Sequence, residues 1–163
     1  MLIPKDEWER KIFSEFAMAA GIDPDPGSVS TGIPPRPDIR FTVADVERWT
    51  ELVEITDQDL AGNHMTSLKT GAITVGAFSQ RLPLERSIRN KAAKSYETDG
   101  SRLDLLAYYD KQYPAISVEP DLIPQAIGQV AAQMVASGVW TRVWVYDTWS
   151  KRVLWVYPAD TGS

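Results

Sequence analysis

Arg102 to Asp110 reads RLDLLAYYD and is nearly continuously apolar after Asp104. A strand with one wet face alternates apolar and polar residues. A strand apolar on both sides belongs in the middle of a sheet with helices over each face. This segment therefore requires flanking strands and covering helices from the rest of the chain.

The remaining patterns supply both. Asp6 to Ala20 reads as a helix, with Trp8, Ile12 and Phe16 spaced i, i+4, i+8, Phe13 beside them, acids in the first turn and Gly21 as its stop. Residues 23–37 hold five prolines and two glycines and form a loop, with a short extended piece at Ser28–Ile33. Pro37 to Thr56 reads as two alternating strands joined by a turn. Asp57 to Gly76 is ambiguous, and Ala77 and Phe78 after Gly76 exclude a phosphate-loop reading of its glycines. Leu84 to Tyr96 is a helix, with Leu84, Ile88, Lys91 and Ser95 on one face. Glu119 to Ser137 is another, stopped by Gly138. Val139–Asp147 and Arg152–Tyr157 form a hairpin, with Val139, Thr141, Val143 and Val145 facing one way and Trp140, Arg142, Trp144 and Tyr146 the other. This order predicts a three-layer α/β sandwich around one mixed central sheet, with a C-terminal β-hairpin, as a single domain over residues 1–163.

Composition narrows the chemistry. A chain of about 150 residues buries ~70% of its unfolded surface, so these 163 residues can hold one real core. The absence of cysteine excludes disulfides, thiolate zinc sites and a cysteine nucleophile, and it suits a reducing compartment. His64 is the only histidine, so multi-histidine metal sites are excluded, and no G-x-S-x-G surrounds a serine. The N-terminal MLIPKDEWERK lacks the apolar core of a signal peptide, and the longest largely apolar stretch, Ile127–Trp140, is too short and too polar to span a bilayer. The expectation is a soluble cytoplasmic protein with no membrane partner. The net charge of −5 gives no overall basic footprint, yet residues 81–94 carry Arg81, Arg86, Arg89, Lys91 and Lys94 against Glu85 alone.

Candidate site residues come from the two strands. In the first, Ile39, Phe41 and Val43 share a face opposite Asp38, Arg40 and Thr42; in the second, Trp49, Val53 and Ile55 share a face with Glu51, opposite Thr50, Leu52, Glu54 and Thr56. If the apolar faces coincide, Asp38 and Glu54 project from the same side and can hold a hard cation such as Mg²⁺ or Mn²⁺. The plainer reading is an amphipathic hairpin with its polar side in water. Lys91 falls on its helix's apolar stripe, where a simple surface lysine does not belong; its stem can run along apolar surface and deliver the ammonium to the carboxylates.

The chain resembles the PD-(D/E)XK nuclease superfamily, the restriction-endonuclease-like fold, over roughly residues 6 to 110. Trp8-Glu9 before Gly21 resembles the family's first helix with its glutamate. Pro37-Asp38 resembles the Pro-Asp element, and Glu54-Ile55-Thr56 stands where acidic-x-Lys is expected. Lys91 to Tyr96, followed by LDLLAYYD, resembles the next helix and strand. The resemblance implies a Mg²⁺- or Mn²⁺-dependent nuclease acting on DNA. Asp38 and Glu54 would be the metal ligands, Glu9 a supporting carboxylate and Lys91 the migrated catalytic lysine. Arg81, Arg86, Arg89 and Lys94 would contact nucleic acid. Thr56 departs from the pattern by replacing the signature lysine. The alternatives are a non-catalytic member of the same fold, serving as a nucleic-acid-binding or protein-interaction module, and a phage accessory or immunity-type protein. In the last, a protein partner binds through the Trp-rich C-terminal hairpin, which is also the expected contact for a second copy.

Overall fold

The computed structural model of the chain describes residues 3–55, 77–110 and 120–159, with the backbone alone over 77–82. Its elements are α1 (Lys5–Ala20), β1 (Ser30–Thr31), β2 (Ile39–Val43), β3 (Val46–Ile55), α2 (Ala77–Ala92), β4 (Arg102–Tyr109), a 3₁₀ turn at Pro120–Leu122, α3 (Ile123–Ala136), β5 (Arg142–Asp147) and β6 (Arg152–Tyr157). The strands form one mixed six-stranded sheet in the order β1-β2-β3-β4-β5-β6. The pairs β1–β2, β2–β3 and β5–β6 are antiparallel, whereas β3–β4 and β4–β5 are parallel. A parallel pair needs a crossover, and each of the two crossovers carries a helix, α2 and then α3.

Both crossover helices lie on one face. Leu84 and Ile88 of α2 and Ile127, Val130 and Met134 of α3 pack on Trp49, Ile55, Leu103, Leu105, Ala107, Val143 and Val145. Helix α1 covers the other face, where Ile12, Phe13 and Phe16 meet Ile39, Phe41, Leu52, Leu106, Tyr108, Trp144 and Tyr146. Strand β4 lies between β3 and β5 and is buried from Leu103 onward, which is why its sequence barely alternates. Among the described residues, no helix is long and apolar enough to cross a membrane.

Several boundaries differ from expectation. Helix α2 begins at Ala77, ahead of Pro83, and ends at Ala92 rather than Tyr96. Ser95 lies past the helix end and is exposed, so the stripe through Leu84 and Ile88 stops short of it. Trp140 precedes β5 and packs with the α2–α3 side of the sheet, opposite Trp144 and Tyr146; period-two counting fails for a residue outside the strand. The two apolar stripes of the β2–β3 hairpin do not coincide either: Ile39 and Phe41 face α1, while Trp49 and Ile55 face α2 and α3. Both faces of this sheet are buried, so each strand spends its apolar residues on a different core. The C-terminal hairpin extends the sheet from β4, with β5 paired to β4 and β6 at the edge. Trp144 is buried and Trp155 half-buried, leaving Trp149 in the turn as its exposed tryptophan, 63% accessible. Thr56, His64 and the Asp57–Gly76 segment lie outside the described residues.

Candidate active site

The hairpin that carries the site is held differently at its two ends. At the tip, Ala44 and Asp45 both take positive φ, 51° and 66°, the geometry of a two-residue hairpin turn. Asp25 reaches across from the proline-rich loop and accepts hydrogen bonds from Thr42 Oγ1 and the Ala44 and Asp45 backbone N–H groups. At the open end, β1 buttresses the chain just before β2. The Gly32 N–H donates to the Asp38 carbonyl at 2.9 Å. A Cβ on Gly32 would sit 2.0 Å from the Pro37 carbonyl oxygen, so only glycine allows this approach.

Asp38 stands one residue before the last ladder pair, Ile39 opposite Thr50. Its Oδ2 accepts the Leu52 N–H at 2.9 Å, a bond that a strand carbonyl would otherwise make. Its own N–H donates to Glu51 Oε1 at 3.0 Å. The carboxylate therefore sits where β2 and β3 part, within reach of both faces of the sheet. Glu9 on α1 is one electrostatic neighbour and Glu51 on β3 is another.

Glu51 is buried on the α2 side. Its Oε2 accepts from Lys91 Nζ at 2.7 Å and from the Tyr96 hydroxyl at 2.9 Å. Lys91 sits at the end of α2, one turn beyond the fully buried Ile88, and its half-buried stem brings the ammonium back toward β3. A cavity of about 260 Å³ opens between α1, β2, β3 and α2, with Glu9, Asp38, Glu54, Lys91, Trp8 and Tyr108 among its lining residues. Lys5 pairs with Glu9 at its rim, 3.6 Å apart. Trp8 Nε1 donates to the Tyr108 hydroxyl at 3.2 Å, pinning α1 over the parallel strands.

Glu54 lines the same cavity but has a different partner. Burial raises its carboxyl to about 7, and the hydrogen-bonded Asp110 at the end of β4 adds to the rise. Burial likewise holds Asp38 above the ordinary carboxyl value, with the charge of Glu9 adding to it against the lowering effect of the Leu52 N–H. Glu51 is also raised, by burial first and the Asp38 charge second, against the pull of Lys91 and Tyr96. Three raised carboxyl groups thus belong to this region, and the Lys91 ammonium pairs with Glu51 among them; burial is costly for ionised acids.

The structure thus joins Asp38 to Lys91 through Glu51, sets Glu9 beside Asp38, and pairs Glu54 with Asp110. Glu51, Tyr96 and Asp110 are absent from the sequence-derived set. The alternation did place Glu51 with Trp49 on the α2 side; what it lacked was the parting of the strands at Asp38. Of the basic residues, Arg89 pairs with Glu85 on the helix surface at 3.1 Å, Arg86 is exposed on α2, and Lys94 is exposed beyond it. The side chain of Arg81 lies outside the described residues.

Carboxylate oxygens are the donors that Mg²⁺ or Mn²⁺ takes, and a cation beside Asp38 would relieve its repulsion with Glu9 on one side and Glu51 on the other, so these donors suit such an ion. Among the described residues, no group of three or more acidic or histidine side chains is already arranged to hold one. Comparisons with protein-family models, with curated proteins and with solved structures find no match to this chain.

Proposed function

We propose that this protein is a metal-dependent nuclease of the PD-(D/E)XK type acting on DNA, with Asp38 and the adjacent Glu51 as the principal cation ligands and Glu9 and Glu54 lining the cavity that Asp38 opens onto. The observation that carries this reading is the Lys91 ammonium, brought from α2 to within 2.7 Å of the carboxylate whose other oxygen holds the Asp38 N–H. The order α1-β1-β2-β3-α2-β4 fits the helix, hairpin, helix and strand that the resemblance implies. With Glu51 opposite Asp38, the acidic-x-Lys place falls on Glu51-Leu52-Val53. Val53, rather than Thr56, then occupies the lysine position, and Lys91 supplies the missing charge from the neighbouring helix.

A bound divalent ion would neutralise charge on the scissile phosphate and lower the pKa of a water. The protein's own groups have separate tasks. Lys91 orients the attacking water and offsets negative charge that develops at the phosphate. Asp38, raised by burial, gains from any positive charge placed beside it. Arg86, Arg89 and Lys94 supply contacts to the phosphate backbone, and Trp8 and Tyr108 wall the cleft.

The test is cleavage of single- and double-stranded DNA with Mg²⁺ or Mn²⁺. Loss of activity in Asp38→Asn, Glu51→Gln and Lys91→Ala, with most activity kept in Lys94→Ala, supports the assignment. Mn²⁺ should also raise the melting temperature of the native protein and not of Asp38→Asn, since a ligand bound only by the folded state stabilises it.

One observation favours a second reading. Glu51 accepts three hydrogen bonds, from the Asp38 N–H, Lys91 and Tyr96, and is thereby well satisfied without an ion. In that reading the cluster is a structural joint of a non-catalytic binding module. A native protein that is inactive with both metals and shows no metal-dependent melting shift selects it.

A further inference from the structure

Away from the carboxylate cavity, three arginines meet on the α1 face of the sheet. Arg48 on β3 is the direct partner of Arg102 on β4, and Asp104 on β4 is the direct partner of Arg142 on β5. Phe41, opposite Arg48, and Leu106 and Trp144, two residues along from Asp104 and Arg142, pack against α1, so period two puts all three arginines on that face. Three neighbouring strands thus project guanidinium groups around the single carboxylate of Asp104.

That carboxylate is already engaged. Arg102 donates to both of its oxygens, at 3.2 and 3.3 Å, and Trp144 Nε1 donates to Oδ2 at 3.0 Å. Arg142 lies over the Trp144 ring, 5.8 Å from its centroid. Arg102 is therefore held by its carboxylate partner and Arg142 lies against the tryptophan ring. Arg48 makes no ion pair among the described residues, and its charged neighbours are Arg102, Asp104 and Arg142, two positive against one negative. Burial and the adjacent Arg102 lower its pKa from the usual guanidinium value. All three arginines are half-buried, sheltered enough for strong interactions and open enough to be reached from solvent.

Guanidinium groups offer paired N–H donors matched to the oxygens of a tetrahedral anion. We propose that Arg48, Arg102 and Arg142 form a phosphate-binding site separate from the carboxylate cavity. The arginine side chains do not line that cavity. Glu54, on the same face, lies six residues along β3 from Arg48, about 20 Å at strand spacing. The phosphate can come from a nucleic-acid backbone or from a small phosphorylated molecule. The site does not depend on the nuclease reading.

The experiment is run in EDTA, so that metal binding plays no part. Melting temperature and calorimetric binding are measured with inorganic phosphate, against chloride at the same ionic strength, and with a short single-stranded oligonucleotide. The native protein should respond to at least one probe. Arg48→Gln and Arg142→Gln should each weaken that response at least tenfold, and Arg48→Lys, which keeps the charge and tests folding, by less. A response to phosphate assigns the site to a small phosphorylated ligand. A response to the oligonucleotide alone, with a shallower salt dependence in Arg48→Gln, assigns it to the nucleic-acid backbone. A native protein indifferent to both probes, or an Arg48→Gln protein that binds as the native does, overturns the proposal.

Discussion

Asp25 and Asp38 sit at opposite ends of one hairpin and accept hydrogen bonds from it in opposite circumstances. Asp25 is partly open to solvent and accepts three bonds at the β2–β3 turn. These bonds, the Thr42 hydroxyl first, lower its carboxyl below the ordinary value. Asp38 is half-buried, accepts the single Leu52 N–H and has acids for neighbours, and burial raises it. The same residue type is a turn brace at one end and an under-compensated charge at the other. Structural carboxylates are satisfied by donors, whereas a carboxylate awaiting a cation is held among other acids.

Removing the support beneath Asp38 disturbs this end of the hairpin most. In Gly32→Ala the new Cβ would stand 2.0 Å from the Pro37 carbonyl oxygen and 3.1 Å from the Trp49 ring, so the Pro37–Asp38 segment must move. The expected cost is about 3 kcal/mol of unfolding free energy, read as a lower urea midpoint, together with loss of any Mn²⁺-dependent melting shift. Next in size is Lys91→Met. Its partner Glu51 keeps only 5% of its side chain accessible, and the substitution strands that buried acid with fewer donors. A loss of about 2–3 kcal/mol at neutral pH is expected, slightly less than for a fully buried pair because Lys91 is partly open. The double variant Glu51→Gln with Lys91→Met should recover more than half of it, since no unpaired charge remains.

What could be read from the residues depended on how local the determining physics was. The two-sided burial of β4 was legible because its apolar run can be satisfied in few ways, and α1 was legible from Trp8, Ile12 and Phe16. Lys91 stood out because a cation at the end of an apolar stripe needs an acidic partner. The identity of that partner was not legible. Alternation assigns Asp38 and Glu51 without saying where the ladder ends, and the ladder ends at Ile39. One residue past that point a side chain lies in the plane of the sheet, so neither face owns it. Tyr96 and Asp110 closed the segments read as helix and strand without being singled out, for a related reason: both lie just outside the actual helix and strand, where periodicity has no hold.

A smaller effect separates Glu54 from both aspartates. Its carboxyl stands at about 7 in the folded protein against 4.5 ordinarily. Between these values the folded state holds the proton more tightly than the unfolded state, so stability falls as pH rises through this window and levels off above it. Because Glu54 remains partly open to solvent, the discounted loss from pH 5 to 8 is about 1–2 kcal/mol. Glu54→Gln, which can donate to Asp110 at every pH, should abolish most of that slope. A native protein whose urea midpoint is flat from pH 5 to 8 would show that the pair carries no such strain.

The smallest effects give the sharpest contrast, because they differ in sign. Ionised Asp38 costs stability in the metal-free protein, since its folded pKa lies above the ordinary value. Asp38→Asn keeps an oxygen for the Leu52 N–H and adds donors toward Glu9 and Glu51. It should therefore stabilise the metal-free protein at pH 7 by about 0.5–1 kcal/mol while removing the response to Mn²⁺. Asp25 is the reverse case. Its folded pKa lies below the ordinary value, so its contribution is present at neutral pH and fades as pH falls through that lowered value. Asn at position 25 loses the charge that strengthens three hydrogen bonds, so the melting temperature should drop slightly at pH 7 and leave the Mn²⁺ response intact. Paired melting curves of the two variants, with and without Mn²⁺, read both signs at once. If both substitutions lower stability, Asp38 is a second brace, and the open end of the hairpin differs from its tip only in burial.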